Sequence, residues 1–161
     1  MVLKSQVEWA LHCCAILAGL PADKYLATKD LAELHGLPKE YLSKALQSLS
    51  QAKLVTSTLG PSGGYRLAKS PADITFLDIV EAIEGKQSTF VCTEIRKNNP
   101  CRKAGTREGK ACAVARVMWG ADQAWRAHLK ATTLAQLAET LAQEIPQPLY
   151  ENTFAWVVAR S

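Results

Sequence analysis

No run of about 18 apolar residues occurs in this 161-residue chain, which excludes a membrane-spanning helix. There is no Cys-x-x-Cys pair, so the patterns of a zinc ribbon and of a bacterial ferredoxin are excluded as well. No glycine-rich loop opens a helix. GPSGG (60–64) follows one strand-like run and leads into another, so no nucleotide, flavin or phosphate loop supports an enzyme. Internal repeats and low-complexity segments are lacking. The opening residues, MVLKSQVEWALHCC, hold one Lys and an early Glu, and no small-residue cleavage site follows. They make a poor export signal. The expected location is the cytoplasm, where thiols stay reduced, and the five cysteines do not suggest a disulfide framework there.

What is present fits one compact domain, or a small domain with a dimerisation arm. Apolar residues make up 48%, normal for a globular protein. The net charge of +4 is mild but unevenly spread. Two blocks are basic, 38–69 and 92–130, and the segments around them are acidic. A basic patch is the electrostatic footprint of nucleic-acid binding, although a solvated surface has the same composition.

Residues 3–19 place Val7, Ala10, Leu11, Cys14, Ile16, Leu17 and Ala18 at helical spacing, and Gly19 and Pro21 end the run. Thr28 reads as the N-cap of a second helix through Leu31, Ala32 and Leu34, ended by Gly36. Pro38 suits the first turn of a third helix running to about Ala52. Two helices around the turn His35-Gly36-Leu37 make a helix-turn-helix. LVTSTL, GPSGG and YRLA then read as a hairpin with a Gly-rich turn. The combination predicts a mainly α protein with a small β-hairpin, a winged helix-turn-helix. Thr75 and Gly85 bracket a further helix. From about Ala111 a long helix runs to Lys130 with Val114, Val117, Met118, Ala121, Trp125 and Leu129 on one face. That stripe exceeds what one winged helix covers, and exposed apolar stripes mark interfaces, so a homodimer is expected. Thr132 or Thr133 caps another helix through Leu134, Leu137 and Leu141. Pro146 and Pro148 are expected to end regular structure, leaving a tail, YENTFAWVV, apolar enough to dock or form a strand.

The divisions that follow are 1–85 as the winged helix-turn-helix, 86–110 as a cysteine-bearing loop, 111–145 as dimerisation helices and 146–161 as a C-terminal tail. In a helix-turn-helix the second helix lies in the major groove of double-stranded DNA, its N-terminal residues at base edges. Those residues are Lys39, Glu40, Tyr41, Ser43, Lys44 and Gln47. Gln and Ser can read bases, while Lys and Tyr can hold phosphate. Thr28 opens the preceding helix on the same side. The wing offers Ser62, the amides of Gly63 and Gly64, and Arg66 for phosphate or the minor groove. Two such readers one DNA turn apart would bind a palindrome. Winged helices also serve as protein-interaction modules; the basic charge of this block favours DNA.

Cys92, Cys101 and Cys112 lie in VCTEIRKNNPCRKAGTREGKAC, a hydrophilic stretch that cannot fold by burying itself. Three thiols there suggest a metal or iron–sulfur centre, a disulfide, or both. Iron–sulfur clusters usually take four ligands, so the loop thiols need help. Glu8 and His12, four apart on the first helix, project from one face and are candidates, with Trp9 beside them. Taken alone they would read as an exposed helix pair. Cys13 and Cys14 read as small core residues, His35 as a turn residue and His128 as a surface residue.

The segments LAELHGLPKEYLSKALQSLSQAKLV, GPSGGYRLAK and ITFLDIVEAIEG, with cysteines directly after, resemble the bacterial winged-helix iron–sulfur regulators of the IscR and NsrR type. The resemblance spans roughly residues 1–143. VEWALHCC, FVCTEIR and KACAVARVM are shared with the RsrR-like branch of redox-sensing repressors. The resemblance implies a 2Fe–2S cluster bridging two subunits, held by two Cys of one chain and a Glu and a His of the other. By motif these are Cys92 and Cys112, with Glu8 and His12 from the partner subunit. Cys101 is left unassigned, as an alternative ligand, and Trp9 is placed to reorient with redox state. Leu59 stands where IscR-like proteins carry an Arg for the minor groove. The reading is a homodimeric regulator, a repressor, whose DNA affinity follows the redox state of the cluster. Its alternatives are a cluster-free regulator sensing oxidants through a disulfide among the loop cysteines, and an iron–sulfur oxidoreductase or electron carrier.

Overall fold

A computed structural model describes residues 2–106 and 109–161; Met1, and Arg107 and Glu108 of the expected cysteine loop, lie outside the described residues. The first helix, α1 (Ser5–Ala18), runs through the centre of the core. Its buried positions Val7, Ala10, Cys13, Cys14 and Leu17 recur at the three- and four-residue spacing that keeps one face inward. Gly19 caps it, just before Pro21.

The second helix, α2 (Thr28–His35), starts one residue earlier than a Thr28 cap requires. Ala27 is the N-cap, and Thr28 is the first helical residue. Its backbone is fixed from outside, because Leu26 pairs with Tyr65 of the hairpin and leaves Ala27 extended. Gly36 ends α2 in the left-handed region, φ 63°, which a residue without a Cβ adopts at little cost. The Leu37 amide donates back to the Ala32 carbonyl at 2.9 Å and closes the turn. The third helix, α3 (Lys39–Gln51), follows with Pro38 as its N-cap and buries Leu42, Ala45, Leu46 and Leu49. The helix-turn-helix is thus present as the pattern required.

Strands β1 (Val55–Thr58) and β2 (Gly64–Leu67) pair antiparallel from Val55↔Leu67 to Thr58↔Gly64. The hairpin is tied to the α1–α2 connection by reciprocal backbone bonds between Leu26 and Tyr65, 3.0 and 2.9 Å. Gly64 is needed there: a Cβ on it would overlap the Leu26 carbonyl and the Ala27 nitrogen. After a 3-10 turn at Pro71–Asp73, Thr75 and Asp78 form a reciprocal capping box on α4 (Phe76–Glu84), which Gly85 terminates.

The cysteine loop contains one 3-10 turn, Ile95–Asn98. The long helix α5 (Ala113–Lys130) has Cys112 as its N-cap residue and buries only Ala115. Its outer face is bare: Val114 is 63% exposed, Val117 72% and Met118 40%. Thr133 and Gln136 form a second capping box on α6 (Leu134–Glu144). Leu134 donates to the Ile74 carbonyl at 2.9 Å, and Phe76 to the Thr132 carbonyl at 3.0 Å, joining α6 to the start of α4.

The tail corrects the expectation of a strand or an irregular docked segment. Residues Gln147–Val158 form helix α7. The two prolines do not end regular structure, because Pro146 is the N-cap and Pro148 lies in the first turn, where no intrahelical N–H is lost. Val157 is buried and Trp156 packs on the core. The Arg160 guanidinium lies 3.8 Å from the Trp156 ring centre and 3.8 Å from the buried Asp30 carboxylate of α2.

The core is one cluster, in which Leu26, Leu31, Leu42, Leu46, Leu49, Ile74, Ile79 and Leu134 are fully enclosed with Cys13 and Cys14. Burying a Leu or Ile of this kind contributes about 1.5–3 kcal/mol each. The two cysteines are packing groups. Burial pushes the Cys13 thiol up to about 12, and Cys14 is raised further by burial and by Cys13, so both stay protonated and inert. No helix among the described residues is long and apolar enough to cross a membrane.

Candidate functional site

Two sets of chemistry-bearing side chains are held apart by this scaffold. The first is the outer face of α3. Burial of Leu42, Ala45, Leu46 and Leu49 forces Lys39, Tyr41, Lys44 and Gln47 outward, all exposed. Tyr41, Lys44 and Gln47 recur every three residues on one face, and the Lys44 ammonium lies 5.7 Å from the Tyr41 ring centre. The Ser43 hydroxyl donates to the Lys39 carbonyl at 2.9 Å, leaving its oxygen free to accept. Thr28 is half-buried at the start of α2.

The wing places its residues unevenly. Ser62 is exposed in the turn, and Leu59 at the tip is 98% exposed. The Gly63 amide is already used, donating to the Gly60 carbonyl at 2.9 Å, and Gly64 pairs with Thr58. The Arg66 guanidinium turns back toward the body, donating to the Ala22 carbonyl and lying 4.7 Å from the Tyr25 ring centre. It fastens the α1–α2 connection to the wing rather than reaching out beside Ser62.

The second set is in the cysteine loop. Cys92, Glu94 and Cys112 each bring a donor atom within 4.8 Å of the other two, the only such His/Cys/Asp/Glu group of three or more among the described residues. All three are half-buried. The Cys92 thiol donates to Glu94 Oε1 at 3.4 Å, while Glu94 Oε2 accepts from Arg96 Nη2 at 2.7 Å. Arg96 also donates to the Lys110 carbonyl, bridging the two ends of the loop. Glu94 adopts φ 52°, a left-handed backbone that costs a residue with a Cβ some strain. That strained turn is what folds its carboxylate back over Cys92.

The two sulfurs differ electrostatically. The Ala115 amide at the start of α5 favours the Cys112 thiolate, although the sulfur makes no close cap hydrogen bond. Val114, Arg96 and the Cys92 thiol act in the same sense, and together they outweigh partial burial, so the Cys112 thiol lies below its ordinary range. The Glu94 amide favours the Cys92 thiolate too. Partial burial, the Glu94 carboxylate and Cys112 overcome it, and the Cys92 thiol lies above its ordinary range. The Arg96 hydrogen bond holds the Glu94 carboxyl below the usual carboxylate range.

Cys101 is exposed and outside this group, its amide held by Asn99 Oδ1 at 2.9 Å. Glu8 and His12 are also outside it. They are exposed on α1 and, with Trp9, His35 and Leu37, line a separate open groove of about 370 Å³. The His12 and His35 rings are 5.8 Å apart, and His35 Nε2 is enclosed without a hydrogen-bond partner. Burial, then the neighbouring His12, lowers the His35 pKa. One chain therefore joins Cys92 to Cys112 but does not bring Glu8 and His12 to them.

The donor chemistry fits one side of an iron–sulfur cluster: two adjacent sulfurs at the edge of a polar loop, with an arginine to offset their charge. Two residues of this site, and a third that anchors the start of its loop, carry no ligand motif in the sequence. Glu94 had a readable signal, the Cys-x-Glu spacing after Cys92; Arg96 had only the general basicity of the loop. The third is Arg126 on α5, which pairs with Glu81 at 2.7 Å and Asp122 at 3.0 Å and donates to the Gln87 carbonyl at 2.6 Å. Asp122 in turn accepts from the Thr89 amide at 3.3 Å. This cluster pins residues 87–89, where the chain leaves α4, onto α5.

Comparison with known proteins bears on the reader half of this arrangement. The family model described as "Rrf2: Iron-dependent Transcriptional regulator" matches residues 3–140. The chain is 35% identical over 138 residues to the protein rrf2 of Nitratidesulfovibrio vulgaris, covering 85% of this chain and 87% of that one. It is similar in structure to CymR, the global cysteine regulator of Bacillus subtilis, with a TM-score of 0.68 and 26% identity over 87% of this chain and 98% of that one. The T. potens IscR shares the fold, with a TM-score of 0.67 and 23% identity over 93% of this chain and 96% of that one.

Proposed function

The chain belongs to the Rrf2 family and is a DNA-binding transcriptional regulator rather than an enzyme; on that premise we propose that it is a cytoplasmic homodimeric repressor whose DNA affinity follows the redox state of a 2Fe–2S cluster. The observation that carries this reading is the pairing of Cys92 with Cys112 in a loop whose other thiol, Cys101, is excluded. Two thiols need two further ligands. Glu8 and His12 cannot supply them within the chain, so a second copy does. The bare apolar face of α5 around Val114, Val117 and Met118 supports that second copy.

In this reading Cys92 and Cys112 of one chain hold the cluster with Glu8 and His12 of the other, and the bound cluster supplies a one-electron change of charge. The protein's own parts translate it. Glu8, Trp9 and His12 share α1 with Ala10, Cys13 and Cys14, which pack in the same core as α3. A small displacement of α1 therefore shifts the reader and the distance between two half-sites. Coupling of about 1–3 kcal/mol changes affinity many-fold. Tyr41, Lys44 and Gln47 face the bases and phosphates, with Lys39, Ser43 and Thr28 beside them. The wing adds Ser62, presented by a turn in which Gly63 and Gly64 are engaged within the hairpin. Arg66 acts as the anchor of the wing.

A second reading is favoured by the same sulfur pair. Cys92 and Cys112 are near enough, and unequal enough in acidity, to form a disulfide, and a structural relative, the CymR of Staphylococcus aureus, has been solved in an oxidized form. Complementation separates the two readings. A Glu8→Ala/His12→Ala chain mixed with a Cys92→Ala/Cys112→Ala chain can build one complete site per heterodimer. The cluster reading expects brown-red purified heterodimer with about half the wild-type iron and sulfide, one site where two stood. A colourless heterodimer beside a coloured wild type would overturn it, and oxidant-dependent loss of DNA binding in metal-free protein would favour the disulfide.

A further inference from the structure

Glu94 is the residue for which neither the reader nor the bridging cluster has a use. It sits in a strained left-handed conformation, φ 52°, and the strain buys one thing, a carboxylate turned over the two sulfurs. Its two oxygens have different tasks. Oε2 is fixed by Arg96 at 2.7 Å, so Oε1 is left facing the Cys92 sulfur at 3.4 Å. The only thing between that oxygen and that sulfur is the thiol proton. Replacing a thiol proton is what a thiophilic metal ion does.

We propose that Cys92, Glu94 and Cys112 of a single chain bind one divalent thiophilic cation of the zinc class, with Glu94 as the third ligand. The site shares its two thiols with the sensor reading and rests on that reading for nothing else. Two thiolates and a carboxylate carry three negative charges, and a divalent ion with the Arg96 guanidinium carries three positive ones. The set of two sulfurs and one oxygen is one that zinc and cobalt accept in tetrahedral coordination, which leaves a fourth position open. Cys101 takes no part.

Cobalt(II) is the probe, titrated anaerobically into the iron-free full-length protein. One equivalent per chain should give a near-ultraviolet thiolate-to-cobalt band and the intense visible bands of a tetrahedral ion, and Zn²⁺ should displace it. Cys92→Ser and Cys112→Ser should each weaken binding and leave at most about half of the thiolate band, as two sulfur ligands become one. Glu8→Ala/His12→Ala should bind as the wild type does. Glu94→Gln should weaken binding by about tenfold or more, the scale of a lost ligand-shell group. Glu94→Cys separates a ligand from a positioning residue. A third thiolate should raise the charge-transfer absorbance by about half, as two sulfur ligands become three. Unchanged affinity in Glu94→Gln, an unchanged band in Glu94→Cys, or loss of binding in the Glu8/His12 variant would overturn the proposal. If cobalt fails to bind while the cluster still assembles, only this inference falls. A cobalt site of this composition in a protein that never assembles a cluster would sink the sensor reading and leave this one standing.

Discussion

Tyr41, Lys44 and Gln47 test the DNA reader side chain by side chain. Each is exposed on α3, so truncation to Ala leaves the core untouched and removes only what the face offers DNA. Removing any one of these side chains should weaken operator binding by about 1–3 kcal/mol, the worth of its hydrogen bonds to a base edge, measured by a fluorescence anisotropy titration, with an unchanged melting temperature. A melting temperature that falls with DNA affinity would show that these residues are structural. Gly64 tests the wing. Gly64→Ala drives a Cβ into the Leu26 carbonyl and should cost about 1–3 kcal/mol of stability in urea, the scale of an overpacked site. At this scale the sequence was legible where a side chain's placement follows from helical periodicity, as for the exposed Tyr41 or the buried Cys14. It was not legible for Arg66. Its place next to GPSGG suggests an outward phosphate contact, whereas the nearby Ala22 carbonyl and Tyr25 ring, some forty residues earlier in the chain, draw it back.

The elements with local signals formed where those signals stand. Thr75 with Asp78 and Thr133 with Gln136 mark two helix starts, and Gly36 and Gly85 mark two ends. Helix α7 was hidden because two prolines within three residues read as a break, and only the helical register shows that both fall where a proline does no harm. The connection between α4 and α5 was hidden for another reason: the Arg126 cluster joins residues about forty apart, which no local pattern reveals. That connection gives a pH-dependent prediction. The Thr89 hydrogen bond, then Arg126, hold the Asp122 carboxyl below the usual aspartate range. Its contribution is complete above the ordinary aspartate value and is lost as pH falls through the depressed folded value. Residues 86–90 should therefore gain hydrogen-exchange rate, beyond the intrinsic change, on acidification below about pH 4. Asp122→Asn should show that faster exchange already at pH 7. Equal protection of this segment in both proteins at pH 7 would remove Asp122 from the anchor.

Over the whole molecule, the winged helix follows from the sequence while the complete sensor does not, because within one chain Glu8 and His12 line a groove apart from Cys92 and Cys112. In the proposed reading the dimer is therefore part of the site. The exposed Val114, Val117 and Met118 face of α5 should hold the protein dimeric at micromolar concentration without DNA and without cluster, and sedimentation equilibrium reads this directly. Val117→Glu should shift the equilibrium toward monomer and abolish cluster assembly, while leaving the helical circular dichroism of each chain. The most direct test of the account is an anaerobic DNA-binding titration of one cluster-loaded preparation, run first oxidised and then after stoichiometric dithionite reduction, with iron and sulfide assayed alongside. The account predicts about two iron and two sulfide per cluster and an operator affinity that differs at least about fivefold between the two states, reversing on reoxidation. Equal affinity in both states, or a protein that binds its operator but never holds iron and sulfide, would contradict it.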